Sequence, residues 1–307
     1  MERSALALLV ITAFAACVDN PVTDTKTDCL FTRYTSETTA DPGKVTSVEL
    51  IHDEANNTIS SYFVDIKDGN RDTTNFVTWE YQGNKLVRIT VKGKDRTSID
   101  QYVYQGDLLS KITSLHPQTG AYYDREVFTY DGAGNLVSKT TYTSNGGRRD
   151  STVFWGFNNK LPEFSERFLE GKDVTPSSMK FRYVYNNGNR TETYIWSEKI
   201  SQWQILEKDK FDESKLSSDY IIAQQLKNPE LMTPFYSDRN QILRSEWYGF
   251  HPCVGAKSDT TSLQVITEYS ANYNSSNQPL KIIETETSIC SGKSTVRTST
   301  YGYSKCK

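Results

Sequence analysis

Histidine is nearly absent from this chain: His52, His116 and His251 are the only three in 307 residues. They fall in different segments, and no His-Glu-x-x-His, Gly-x-Ser-x-Gly or P-loop pattern occurs. That removes the common signatures of zinc hydrolases, serine hydrolases and P-loop NTPases. Cysteine is scarce as well, with five residues and no Cys-x-x-Cys spacing, so no zinc ligand set is expected. Net charge is only -3, and both signs are mixed along the chain. No basic stripe is present, so the electrostatic footprint of a nucleic-acid binder is missing. Apolar residues reach only 36%, and the one long apolar run, residues 5–16, is too short to span a bilayer as a helix.

That run has a different use. Met1-Glu2-Arg3-Ser4 is a short n-region, and the apolar stretch has the length of a signal-peptide core. It ends in Phe14-Ala15-Ala16-Cys17, which resembles a bacterial lipobox, where small residues precede a cysteine that receives diacylglycerol. Phe14 stands where Leu is usual, and Glu2 departs from the basic n-region. The alternative is an ordinary secretory signal cleaved nearby. The lipobox reading divides the chain into a signal peptide (1–16), a lipidated Cys17 with its tether (17–28) and one β-repeat domain (29–307). It makes the membrane a partner through a lipid anchor and the location an outer-membrane lipoprotein of the cell envelope, with the side it faces left open.

Four cysteines remain in the exported chain: Cys29, Cys253, Cys290 and Cys306. An even number in an exported protein favours disulfides, and four cysteines allow three connectivities. Cys253–Cys290 with Cys29–Cys306 is the favoured set, because the second bond would staple the chain ends. His251 beside Cys253 could be read as a thiol–imidazole pair; a loop histidine next to a disulfide is the plainer reading.

What the chain does have is aromatic residues, 12% of the total with 19 Tyr, in a repeat. The clearest copies run Trp79-Glu80-Tyr81-Gln82-Gly83-Asn84-Lys85-Leu86, Tyr102-Val103-Tyr104-Gln105-Gly106-Asp107-Leu108-Leu109 and Phe128-Thr129-Tyr130-Asp131-Gly132-Ala133-Gly134-Asn135-Leu136. The second aromatic recurs at Tyr81, Tyr104, Tyr130, Phe157, Tyr185, Phe211, Tyr236, Tyr273 and Tyr303, a period near 26. Residues two apart in a strand share a face, so each aromatic pair lies side by side. Gly, Asn and Asp supply the positive φ of a tight turn, and the Leu-x-x-Lys-Ile run is the return strand. Each repeat is thus one hairpin, marginal alone and stable only beside its neighbours. Further strands are expected at 46–50 and 61–66, a short helix at 219–226, and a loop insertion around His251-Pro252-Cys253-Val254-Gly255.

This pattern resembles the Tyr-Asp (RHS-type) repeats of bacterial secreted proteins. With the lipobox and the chain length, it is also similar to a Bacteroidota lipoprotein family of unknown function with a porin-like fold. The resemblance covers residues 46–307 and concerns architecture.

The fold class expected is all-β: an antiparallel up-and-down meander of about 16–18 strands, curled or closed into a large soluble barrel. Closure would remove exposed sheet edges, and the terminal half-repeat Tyr301-Gly302-Tyr303 should pair with the N-terminal strand. So wide a lumen cannot be filled by wall side chains alone, so the barrel must flatten, take in loops, or hold water or a ligand. A membrane-spanning barrel is the rival, opposed by charges recurring within candidate strands.

No catalytic residue, cofactor or metal site is expected. The Asp68-Gly69 and Asp131-Gly132 turns lack the further carboxylates calcium needs. Trp196 and Trp203 fall between repeat anchors and are the candidate ligand-binding residues, since aromatic faces stack on sugars and pack against proteins. The leading reading is a non-catalytic envelope lipoprotein that binds a glycan, peptide or protein. The alternatives are a scaffold barrel of an envelope assembly and a glycan-acting hydrolase built on a carboxylate pair.

Overall fold

The computed structural model describes residues 29–171, 174–227, 240–250 and 260–304. Strands β1 (Leu30–Thr38), β2 (Lys44–His52) and β3 (Thr58–Lys67) precede the first clear repeat. Five hairpins follow: β4 (Asn70–Gln82) with β5 (Lys85–Gly93), β6 (Thr97–Gln105) with β7 (Leu108–Leu115), β8 (Tyr122–Tyr130) with β9 (Leu136–Tyr142), β10 (Arg148–Asn158) with β11 (Leu161–Gly171), and β12 (Val174–Asn186) with β13 (Asn189–Ser197). β14 (Gln202–Leu216) leads into helix α1 (Ser218–Leu226). β15 (Asn240–Gly249), β16 (Ser262–Tyr273), β17 (Pro279–Ser288) and β18 (Ser294–Ser304) complete the chain.

Each strand pairs antiparallel with the next, and the 18-stranded meander closes on itself. The seam is β1 against β18, with Leu30 opposite Ser304, Tyr34 opposite Tyr301 and Thr38 opposite Arg297. The half-repeat at the C-terminus therefore finds its return strand at the N-terminus, and neither sheet edge is left exposed.

The repeat contains a device that the sequence spacing alone conceals. Tyr81 lies opposite Leu86, but Glu80 lies opposite Arg88, so Val87 is an extra residue. The same shift leaves Ser110 extra between Leu109 and Lys111, and Val137 extra between Leu136 and Ser138. A β-bulge of this kind puts two residues against one. It brings Leu86 and Ile89, three apart, onto the face that Tyr81 and Trp79 occupy. The Leu-x-x-Ile spacing is thus a bulge signature.

That face is the interior. Leu86, Tyr102, Leu109, Ile112, Phe128, Leu136 and Phe154 form a buried cluster near the repeat turns, joined by Trp79, Tyr81, Tyr104 and Tyr130. Burial pushes the Tyr130 hydroxyl up to about 12. Wall side chains still cannot fill a lumen this wide. α1 fills part of the remainder: Ile222, Ala223 and Leu226 pack on Phe31, with Tyr34, Leu50, Trp79, Tyr301 and Tyr303 around them. A helix that leaves β14 thus reaches β1, β2, β4 and β18 across the barrel.

Its local sequence fits that position. Ser217 caps the N-terminus, its side chain accepting from the Tyr220 N–H at 3.1 Å, and Lys227 closes the other end in the left-handed conformation. The helix starts one residue before the segment expected from sequence. Gln225 Oε1 accepts from the Phe31 N–H at 3.1 Å, and Tyr81 donates its hydroxyl proton to the Leu226 carbonyl at 2.9 Å. Lys227 Nζ donates to Asn57 Oδ1 at 2.7 Å and to Asn84 Oδ1 at 3.2 Å, tying the helix end to two turns of the far wall. Ile221, Ile222 and Leu226 are buried, each worth roughly 1.5–3 kcal/mol.

Away from α1 the inner wall turns ionic. Arg125 meets Asp100 at 2.6 Å, Lys139 meets Glu126 at 2.8 Å, Arg190 meets Glu207 at 3.0 Å and Arg297 meets Glu284 at 3.3 Å. Lys139 also lies over the buried Phe128 ring, 5.7 Å from its centre, and Arg190 lies 5.9 Å from the centre of Tyr183. Among the described residues, one end of the barrel is therefore apolar and ion pairs line the inner wall beyond it.

Candidate binding surfaces

On the outer wall of β10–β14 the aromatic residues meet. Trp196 lies directly opposite Trp203 across β13 and β14. Their rings make an edge-to-face contact, 5.4 Å apart at 69°. Trp203 continues to Phe164 at 6.2 Å, and Phe164 stacks on Trp155 at 5.8 Å with only 11° between planes. These four rings form one strip. Beside it the Arg182 guanidinium lies 4.6 Å from the centre of the Tyr194 ring. Tyr194 donates its hydroxyl proton to Glu192 Oε2 at 2.5 Å, and that bond holds the phenol above its usual range.

The sequence singled out Trp196 and Trp203, and the fold brings exactly this pair into contact, half-buried. It did not single out Phe164, Arg182 or Tyr194, which carry no signal in one dimension. Trp155 corrects a reading from the repeat. Two residues before the anchor Phe157, it should share the core face by strand alternation. Instead Gly156 adopts φ +71 and breaks the alternation. Phe154 takes the buried place at 5% exposure, and Trp155 faces out at 40%. The clue was Gly156 itself, a glycine inside a strand.

The outer wall also carries ion pairs, beside exposed apolar residues such as Tyr62, Val103 and Val153. Arg88 pairs with Glu80 at 3.0 Å, Lys111 with Asp124 at 2.9 Å, and Arg244 with Glu268 at 3.1 Å. Those charges lie where a lipid-facing band would need apolar side chains.

The remaining sequence candidates resolve plainly. His116 accepts at Nδ1 from the backbone N–H groups of Gln118 and Thr119, so it shapes a turn. Asp131 accepts from the Ala133 and Asn135 N–H groups at 2.9 and 2.8 Å and from Asn135 Nδ2 at 2.7 Å. Asp53 repeats this with Asn57. These carboxylates are turn formers, held below the usual range by those bonds. Among the described residues no group of three or more His, Cys, Asp or Glu is placed to hold a metal ion.

Cys17, Cys253, Cys306, Tyr236 and His251 lie outside the described residues. Cys29 sits at the Gln278 end of β17, its carbonyl accepting from Gln278 Nε2 at 3.1 Å, while Cys290 follows the other end of that strand.

No family model matches this chain, and no curated protein matches it. Solved structures do. A porin-like protein from Bacteroides uniformis aligns with a TM-score of 0.50 at 11% identity, over 89% of this chain and 98% of that one. A porin-like protein from Bacteroides vulgatus aligns at 10% identity and a TM-score of 0.35, over 89% and 98%. The TcdB2-TccC3 structure aligns at 12% identity and 0.39, over 83% of this chain and 13% of that one. The first shows a shared fold with a porin-like protein.

Proposed function

We propose that this protein is a non-catalytic lipoprotein of the bacterial cell envelope whose outer aromatic strip binds a glycan. The observation that carries this reading is the four-ring strip of Trp155, Phe164, Trp203 and Trp196, flanked by Arg182, Tyr194 and Glu192. Flat aromatic faces stack on the apolar faces of sugar rings, and neighbouring charged groups bond the hydroxyls. Trp, Tyr and Arg are also the residues that dominate protein hot spots, so a protein or peptide is the competing occupant. The anchor is Cys17, and the porin-like fold is consistent with an envelope location.

The barrel supports a binding body more than a solid one. Among the described residues its aromatic filling and α1 close one end, and ion pairs line the inner wall beyond them. A glycan array probed with the full-length chain in detergent tests the reading. We expect retention of one glycan class and a loss of about 2–4 kcal/mol, thirtyfold or more, for Trp203→Ala. Retention of no glycan, or of the same glycan by Trp203→Ala at unchanged affinity, refutes it. Capture of a protein instead would favour the scaffold alternative.

A further inference from the structure

The outer strip holds a charge that the fold leaves uncompensated. Arginines elsewhere on the strands reach a carboxylate: Arg88 meets Glu80 at 3.0 Å, Arg167 meets Asp150 at 3.2 Å and Arg244 meets Glu246 at 2.9 Å. Arg182 of β12 does not. Among the described residues its side-chain partner is Tyr194 of β13, whose ring centre lies 4.6 Å from the guanidinium. Cation–π contact of this kind holds a guanidinium in place without neutralising it. Glu192, two residues before Tyr194 on the same face, is engaged elsewhere. It accepts the Tyr194 hydroxyl proton at 2.5 Å and stands opposite Lys208.

Arg182 also lies inside the strip. It is opposite Phe164 on one side and Tyr194 on the other. Phe164 belongs to β11 and Trp203 to β14, strands roughly 14 Å apart at about 4.8 Å per neighbour. Their ring centres are nevertheless 6.2 Å apart. The two rings therefore lean toward each other across β12 and β13, the strands that carry Arg182 and Tyr194. Arg182 is half-buried in consequence.

We infer, on the reading of the strip as a glycan surface, that the glycan is acidic. A carboxylate or sulfate on the sugar chain pairs with Arg182 while neighbouring sugar rings stack on Phe164 and Trp203. The guanidinium presents a fork of N–H donors that matches two oxygens of either group. A neutral glycan would cover the cation further and leave it unpaired, which costs affinity.

Two matched pairs of probes separate the sources of negative charge: trigalacturonate with its methyl ester, and a κ-carrageenan tetrasaccharide with its desulfated form. Each is titrated into the full-length chain in detergent and followed by calorimetry. At least one acid is expected to bind about tenfold or more tightly than its neutral partner. Added salt should weaken the acid and leave the neutral partner unchanged. Arg182→Gln should bring the acid down to the affinity of the neutral partner, whose own binding stays as it was. That unchanged binding, with an unchanged melting temperature, separates lost recognition from lost fold. Trp203→Ala should weaken both members of the pair. Equal binding of acid and neutral partner, no binding of either acid, a preference insensitive to salt, or a preference that survives Arg182→Gln would overturn the inference. A neutral glycan retained on the array beside such a result would leave the strip reading standing, whereas retention of no glycan would end both.

Discussion

At Gly156 a single φ of +71 sends Trp155 outward and lets Phe154 fill the core. A Cβ at this position would lie 3.0 Å from Phe164 Cδ2. Both the left-handed backbone and the ring contact oppose a side chain, so Gly156→Ala should cost about 1–3 kcal/mol. Urea unfolding measures the loss, and near-UV circular dichroism should report a disturbed strip. Asp219 gives a pH-dependent case. In the first turn of α1 it is surrounded by the barrel although its side chain stays exposed; that desolvation, with Glu284 of β17 adding to it, holds its folded-state pKa above its ordinary value of 3.8. Below that value both states are protonated and the residue is neutral toward stability. As pH rises the unfolded chain ionises first, so the native state loses ground until the folded carboxyl has ionised too. Asp219→Asn should therefore melt higher than the wild type at pH 7, and the difference should vanish below about pH 3.8. An unchanged or lower melting temperature at pH 7 would contradict it. Gly156 left a clue in the sequence, a glycine inside a strand; the role of Asp219 left none, since it depends on what surrounds the helix.

At the scale of elements, the hairpins were legible because their turns and aromatic pairs are local. Gly83, Gly106 and Gly134 all take positive φ at the turns where the repeat demanded it. The helix was expected at 219–226, and the structure adds Ser217 as its cap. What it packs on was not, because Phe31 and Ile222 are separated by most of the chain. The cysteines follow from element placement. Cys29 and Cys290 stand at opposite ends of the ten-residue strand β17, roughly 33 Å apart at about 3.3 Å per residue. They cannot bond to each other. Cys306 lies two residues past Ser304, which is opposite Leu30. Non-reducing peptide mapping is therefore expected to recover Cys29–Cys306 and Cys253–Cys290. A Cys29–Cys253 peptide would show the other pairing.

For the whole molecule, closure changes what the repeat means. An open meander would leave β1 and β18 as sticky edges; paired, they make a container whose inner and outer faces can carry different chemistry. The reading as an anchored envelope protein belongs to this scale. Cys17→Ser should abolish metabolic labelling with palmitate and shift the chain from the membrane pellet to the soluble fraction. Persistence in the membrane after that change would revive a barrel held there by its own wall.

The sequence by itself determined the strands, the turns and the inward column of rings, because side-chain alternation and turn chemistry act within a few residues. It also determined that the last half-repeat needed a partner. Only the tertiary structure decided the rest. The bulges set which residues share a face, the seam joins residues more than 250 positions apart, and α1 crosses the lumen to close it. The aromatic strip is a product of those long-range choices. Trp155 and Trp203 come to lie on either side of Phe164 only when the sheet has formed.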